Sequence, residues 1–541
     1  MLFRKKEGEE KKVIPKQTQV SEFKINLKQP LFDLPDVEDR RQLNVRYPLI
    51  EPFAYAHIYW DNKNNELVYN VDEPVLNSDE RRVLGILEKG IEELINISFI
   101  AIKSSDVVIK YLEDNVKVLL NEYRIKVSKT TLLKLMYFIY RNFVGLNEVE
   151  PLMRDYYIED IECNGVNSPV YLVHRKYRNL RTNINFMDMK KLTSFVEKLA
   201  QKCGKYISYA NPLLDGALPD GSRINATYTQ DITSKGPTFT VRKFTKDPWS
   251  PVKLMQFRTV SPEVLAYLWL LIEYESNILV VGGTGSGKTS FLNSLAFFIP
   301  PQSRIVSIED TRELNLLHIN WLPSVARQGV GLTTREGTKH GEVTLFDLLK
   351  ESFRQRPDYV IVGEIRGKEA YVLFQGMSSG HPSLGTMHAE DLYTMIRRLE
   401  TRPINLSPAL VNSLDCVCVM ANVKEGGREV RKVKNIIEIE NIGEKLGDET
   451  VNEPFIWDPR TNRFYFKSRG KSYLAMDSRI FDKIIRRFGV TRERLLDEFR
   501  KRTLLLMKMY DSKISGYKQV HDIITAYHKT PDLVLNKFGI K

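Results

Sequence analysis

The residues with the plainest chemical purpose stand in one row: Gly282, Gly283, Thr284, Gly285, Ser286, Gly287, Lys288, Thr289 and Ser290. Glycines at this spacing let backbone N–H groups wrap a phosphate. The lysine is expected on the β- and γ-phosphates and the Thr289 hydroxyl on Mg2+. An apolar run, Ile278 to Val281, precedes the glycines, and Phe291 to Phe298 reads as a helix. Strand, loop and helix in that order form a phosphate site, because the helix turns its positive end toward the same charge. The stretch implies a bound nucleoside triphosphate.

Three later segments each carry polar residues to the end of an apolar strand. Arg304 to Glu313 delivers Glu309 and Asp310, Pro357 to Gly367 delivers Glu364 and Arg366, and Gly380 to Ala389 holds His381 and His388. Hydrolysis of a nucleotide needs a base or water-positioning group, a metal site and cations over the transferred phosphate. Glu364 is the candidate for polarising the attacking water, with Glu309 assisting the water or Mg2+. His388 is placed to sense the γ-phosphate, whereas His381 stays open between a functional and a packing role. Arg223 and Arg242 also suit phosphate through their planar fork. The bare sequence leaves both open between that role and ordinary surface arginines.

The elements around these segments set out a domain plan for the 541 residues. Residues 1–40 read as a flexible charged tail and 41–150 as an N-terminal α/β subdomain. Residues 151–245 are rich in short strands with turn signals at Asp215-Gly216 and Pro219-Asp220-Gly221. Residues 246–252 look like a hinge linker. A P-loop domain with a mainly parallel sheet follows over 253–440, because strands and helices alternate there. Residues 441–541 read as mostly helical, with Leu495, Phe499, Arg502 or Thr503, and Leu506 on one stripe.

Bulk properties narrow the class further. The longest apolar run, Val264 to Ile272, is too short for a membrane span and reads as a packed helix. The first residues lack the apolar core of a signal peptide, so a cytoplasmic location is expected. The formal charge of +12 suits nucleic acid, an anionic surface or an acidic partner without choosing among them. Four cysteines include no CxxC pair, which argues against structural zinc. Cys416 and Cys418 alternate with valines and are expected on one face of a buried strand.

The order of P-loop, Ile308-Glu-Asp-Thr-Arg312, Val362-Gly-Glu-Ile-Arg366 and Gly380-His381…Thr386-x-His388-Ala389 resembles the type II/IV secretion ATPase superfamily. There these segments are the Walker A, Asp box, atypical Walker B and His box, and Gly363 matches the atypical glycine. Tyr47-Pro-Leu-Ile-Glu-Pro-Phe-Ala-Tyr55, Asn211-Pro-Leu-Leu-Asp215 and Gly236-Pro-Thr-Phe-Thr-Val-Arg-Lys-Phe244 resemble its archaeal branch, most closely the archaellum motor ATPases. The resemblance implies an α/β fold, a PAS-like α+β N-terminal domain, a RecA-like P-loop motor domain and a helical C-terminal segment. It implies ATP as ligand, Mg2+ as cofactor, a homohexamer, and a polytopic membrane platform protein with other archaellum components as partners. It also implies a place at the cytoplasmic face of the membrane, with Arg223 and Arg242 at the interdomain nucleotide cleft. An adhesive-pilus or secretion ATPase of the same branch is the alternative.

Two rivals lie outside this class. A nucleic-acid translocase would show arginines interleaved with aromatics, and no such run is present, so no specific nucleic acid is expected. A scaffold that merely holds ATP would not need Glu364.

Overall fold

The computed structural model describes residues 23–27, 32, 34, 35, 37, 39–94, 105–244, 248–327, 329–333, 339–425, 428–443, 448–467 and 477–540. The chain divides into two compact units, Met1–Phe244 and Thr245–Lys541. Of the segment read as a tail, residues 1–22 lie outside the described residues. Phe23 and Leu34 are buried in the core of the first unit.

The first unit is built on one nine-stranded sheet. Its strands are β1 (Asn44–Ile50), β2 (Ala54–Asp61), β3 (Glu66–Asp72), β4 (Ile158–Cys163), β5 (Pro169–His174), β6 (Arg178–Asn185), β7 (Leu213–Ala217), β8 (Arg223–Thr227) and β9 (Thr238–Arg242). They run in the order β1-β2-β3-β6-β5-β4-β9-β8-β7. The parallel pair β3·β6, with Val68 opposite Arg181, joins the strands before residue 150 to those after it. Both expected N-terminal segments therefore share one sheet and one core. Asn77 caps the helix Ser78–Leu94 through a reciprocal pair with Glu80. Asp215-Gly216, read as a turn, lies inside β7 instead. Asp215 is held there by Arg223 on β8, and a Cβ on Gly216 would sit 2.9 Å from Cys203 Cβ.

His174 closes β5 with its ring stacked between Tyr157 and Tyr177. Its Nδ1 accepts the backbone N–H groups of Lys176 and Tyr177, both at 3.1 Å. Burial pushes its pKa down to about 4. The unfolded chain takes up this proton near pH 6.5 and the folded chain does not. The stabilisation is therefore complete above pH 6.5 and is lost as pH falls toward 4, roughly 3 kcal/mol in all. Hydrogen-exchange protection of β5 and β6 should fall across that window. His174→Asn keeps an acceptor near the Nδ1 position, and the acid slope should flatten in that variant.

Of the linker expected at 246–252, residues 246 and 247 lie outside the described residues. Pro251 and Val252 are already helical, in Pro251–Gln256, because the Ser250 hydroxyl accepts from Lys253 N at 3.2 Å and starts that helix.

The second unit holds β10 (Ile278–Gly282), β11 (Ile305–Glu309), β12 (Trp321–Val325), β13 (Val330–Thr333), β14 (Lys339–His340), β15 (Tyr359–Ile365), β16 (Ser383–His388), β17 (Cys416–Glu425), β18 (Arg428–Asn441), β19 (Thr450–Asp458) and β20 (Arg463–Phe466). Its large sheet runs β12-β11-β15-β16-β10-β17-β18-β19-β20, while β13 and β14 pair separately. Every pairing from β12 to β17 is parallel. The pairings from β17 to β20 are antiparallel. The region beyond residue 440 thus adds two strands before its helices begin at Arg479.

β17 alternates between two cores, with Cys416 and Cys418 on one face and Val417 and Val419 on the other. The helix Pro262–Glu273 is apolar nearly all round and buried along its length. The helix Arg492–Asp511 lies against it, with Arg502 bonded to Glu273 at 2.6 Å and its guanidinium over Trp269. Leu495, Phe499, Arg502, Thr503 and Leu506 are all buried along that helix. Glu438 of β18 is fully buried and satisfied on every side. It accepts from Tyr267 Oη and Ser478 Oγ at 2.5 Å, Asn452 Nδ2 at 2.7 Å and Arg479 N at 2.8 Å. No helix among the described residues is long and apolar enough to cross a membrane.

Candidate active site

Parallel strands side by side bring their C-terminal ends to one edge, the usual place for a ligand in such sheets. Here β11, β15, β16 and β10 are consecutive neighbours. Glu309 ends β11, Glu364 lies one residue from the end of β15, His388 ends β16, and the glycine loop follows β10. Gly282 is directly opposite His388.

The loop bends through Gly285 at φ +71° and Gly287 at φ +89°, a backbone that residues with a Cβ rarely adopt. Gly282 packs so tightly that an added Cβ would sit 2.5 Å from Met420 O. The Ser286 hydroxyl folds back onto Gly283 O at 2.9 Å. The helix Lys288–Leu295 starts at once, with Thr289 and Ser290 half-buried in its first turn and Thr284 exposed in the loop. Lys288 Nζ donates to Gly283 O at 2.9 Å and lies 3.3 Å from His388 Nδ1. Burial lowers the pKa of Lys288. It lowers that of His388 as well, with the charge of Lys288 adding to the effect.

His388 connects loop and carboxylate. Its Nε2 is 2.8 Å from Glu364 Oε1, at an angle that leaves this buried oxygen without a hydrogen bond. The other oxygen, Oε2, accepts from Arg366, which also reaches Asp310 at 3.6 Å. Lysine, imidazole and carboxylate thus form a continuous row beside the phosphate loop. An unsatisfied carboxylate oxygen at its end suits a water molecule, which it can orient or deprotonate.

Glu309 sits deeper, with 2% of its surface exposed. Its Oε1 accepts from the backbone N–H groups of Glu313 and Leu314, both at 2.9 Å, while Oε2 is buried without a partner. Burial pushes its pKa up to about 7 against those two bonds. A Cβ on Gly363 would meet Glu309 Cγ at 2.9 Å, so the glycine before Glu364 makes room for Glu309. Gly363→Ala should cost about 1–3 kcal/mol through overpacking. It should also displace Glu309, read as a lower urea midpoint together with reduced turnover.

The residues expected at the site do not all gather at this edge. His381 precedes β16 and lies at the opposite end of that strand from His388, packed edge-on against Phe353 with ring centroids 4.9 Å apart. Arg223 and Arg242 belong to the first unit, where they face each other across β8 and β9. Arg223 pairs with Asp215 at 3.0 Å and Arg242 with Asp160 at 3.6 Å. Sequence reading assigned no role to Arg366, although its place two residues after Glu364 was a usable signal. It missed Arg431 as well, whose Nε donates to Gly285 O at 3.0 Å across 146 residues of chain.

The sequence matches the family described as Type II/IV secretion system protein over residues 145–438. The chain belongs to that family. Among its relatives is the uncharacterized protein MJ0900 of Methanocaldococcus jannaschii, 34% identical over 564 residues and covering 98% of each chain. The type IV secretion system protein PtlH of Bordetella pertussis is 28% identical over 272 residues, covering 44% of this chain and 78% of its own. Among solved structures, the pilus retraction motor PilT with bound ADP aligns at a TM-score of 0.37 and 17% identity. That alignment covers 69% of this chain and 90% of PilT, and at such a score it carries no argument. The family match begins at Gly145 in the first unit and runs through the strands that carry the loop, Glu364 and His388.

Proposed function

We propose that this secretion-family protein is an ATP-hydrolysing motor that works as a homohexamer. In this reading it drives assembly, and with it rotation, of an archaellum filament through a polytopic membrane platform protein. The observation that carries the enzymatic half is the row Lys288–His388–Glu364 beside the glycine loop. The filament half rests on the archaellum-like segments around Tyr47, Asn211 and Gly236. Adhesive-pilus assembly or secretion in the same family is the second reading, favoured by relatives such as PtlH.

In the proposed reaction the loop and Lys288 hold the phosphates, and Glu364 takes the proton of the attacking water. His388, touching both, would register whether a γ-phosphate has drawn Lys288 away from Gly283 O. Arg223 and Arg242 keep the phosphate-binding role that the resemblance implies. Mg2+, when bound, would neutralise phosphate charge as the bond breaks. Among the described residues no group of three or more His, Cys, Asp or Glu is arranged to hold a metal. The Thr289 hydroxyl and the nucleotide's own oxygens would therefore hold the ion, as is usual for Mg2+. Glu309, whose Oε2 is buried without a partner, would assist that ion or the attacking water.

The test is swimming in the native host carrying Glu364→Gln, with surface filaments counted by electron microscopy. Loss of both swimming and archaella is expected. Swimming cells that lack only a thin pilus would replace the archaellum reading with pilus assembly.

A further inference from the structure

The geometry points to Arg431 as a positioning residue of the phosphate loop, tying it to the β17–β18 hairpin. This inference rests on the nucleotide reading above.

Gly285, like Gly283, has nothing within 4 Å of where its Cβ would be, and unlike Gly283 its φ is positive. A glycine peptide in that state can rotate at little cost. Such a rotation would carry with it the Ser286 N–H, which shares that peptide and donates to Gly283 O at 3.4 Å, and so change the course of the loop backbone. Arg431 opposes it, because its Nε holds the Gly285 carbonyl at 3.0 Å. The same side chain runs past Gly287, where an added Cβ would stand 3.0 Å from Arg431 Cδ. One arginine therefore spans the two glycines with positive φ.

Arg431 is itself delivered by a rigid element. It pairs with Asn422 in the β17–β18 ladder, and β17 is the neighbour of β10. Two residues on, Val433 N donates to Thr259 O at 2.9 Å. The Trp249 ring lies 5.8 Å from the guanidinium. The loop is thus clamped from the antiparallel half of the sheet, by a residue outside the P-loop, Asp-box, Walker B and His-box segments.

The experiment compares the full-length protein with Arg431→Ala and Arg431→Lys, measuring steady-state ATP turnover and the binding of a fluorescent ATP analogue and of pyrophosphate. Arg431→Ala should raise KM and both dissociation constants about tenfold, the loss of one charge-assisted hydrogen bond. Its kcat should stay within about twofold, since the row beside Glu364 is untouched. Arg431→Lys, which keeps a charged donor, should recover most of the affinity. Wild-type affinity in Arg431→Ala, or a fall in kcat with KM unchanged, overturns the inference and leaves the nucleotide reading intact. A wild-type protein that binds neither probe overturns both.

Discussion

Glu364→Gln should lower ATP turnover by about 10²–10⁴-fold, the usual contribution of a general base, while leaving nucleotide affinity nearly unchanged. Glutamine keeps the shape of the side chain and can still accept from Arg366, which bonds Glu364 Oε2. It cannot take a proton from water. The groups placed to grip phosphate, Lys288 and the loop glycines, are separate residues on β10 and its helix. Binding and chemistry should therefore come apart in this variant, with bound ATP accumulating instead of ADP. Phosphate release measured beside analogue binding checks both halves. Unchanged turnover would remove Glu364 from the role of base, and a wild-type protein that binds ATP without hydrolysing it would restore the scaffold reading.

Glu438→Ala should be strongly destabilising, by about 3–5 kcal/mol, because several buried donors lose one acceptor. The carboxylate is fully buried and gathers five donors from separate parts of the second unit. Its removal takes the 2.5 Å acceptor from the hydroxyl of Tyr267, which burial holds in its neutral donor form, and leaves it only Ser478 Oγ at 3.4 Å. Ser478, which starts the helix Arg479–Phe488, and Asn452 of β19 lose a partner at the same time. Each buried donor left unpaired costs about 1–3 kcal/mol, although shared relaxation keeps the sum below simple addition. Urea unfolding followed by tryptophan fluorescence is the check. Trp249, Trp269, Trp321 and Trp457 all lie in the second unit, so the signal reports mainly on that unit.

The sequence was legible where chemistry and local pattern coincide. The glycine loop, Glu309, Glu364 and His388 each sit on a short contiguous motif, and strand ends are easy to place when an apolar run stops at a charge. The alternation of Cys416 and Cys418 with valines in β17 was visible in the same way. What escaped depends on pairing between distant segments. The β3·β6 pair joins residues more than a hundred positions apart, so no local signal could show that one sheet spans residue 150. The strand content after residue 440 was hidden for a related reason. β19 and β20 are sheet only because β18 offers them an edge. Asp215-Gly216 misled because Asp-Gly favours turns, yet the Arg223 pair and the close approach of Cys203 settled it as strand.

The union of β18 with β19 and the helices behind it changes how deletions would have to be interpreted. Ending the chain near residue 440 would turn β18 into a bare edge, strip Asn452 and Ser478 from Glu438, and expose the apolar faces of Val264 to Ile272. Such an edge invites aggregation. A cell carrying that truncation would lack the folded second unit altogether, and its phenotype would resemble a gene knockout. Partner contacts in the last hundred residues are better sought by point changes on exposed positions such as Met507, Tyr510 and Leu533, which leave the sheet closed.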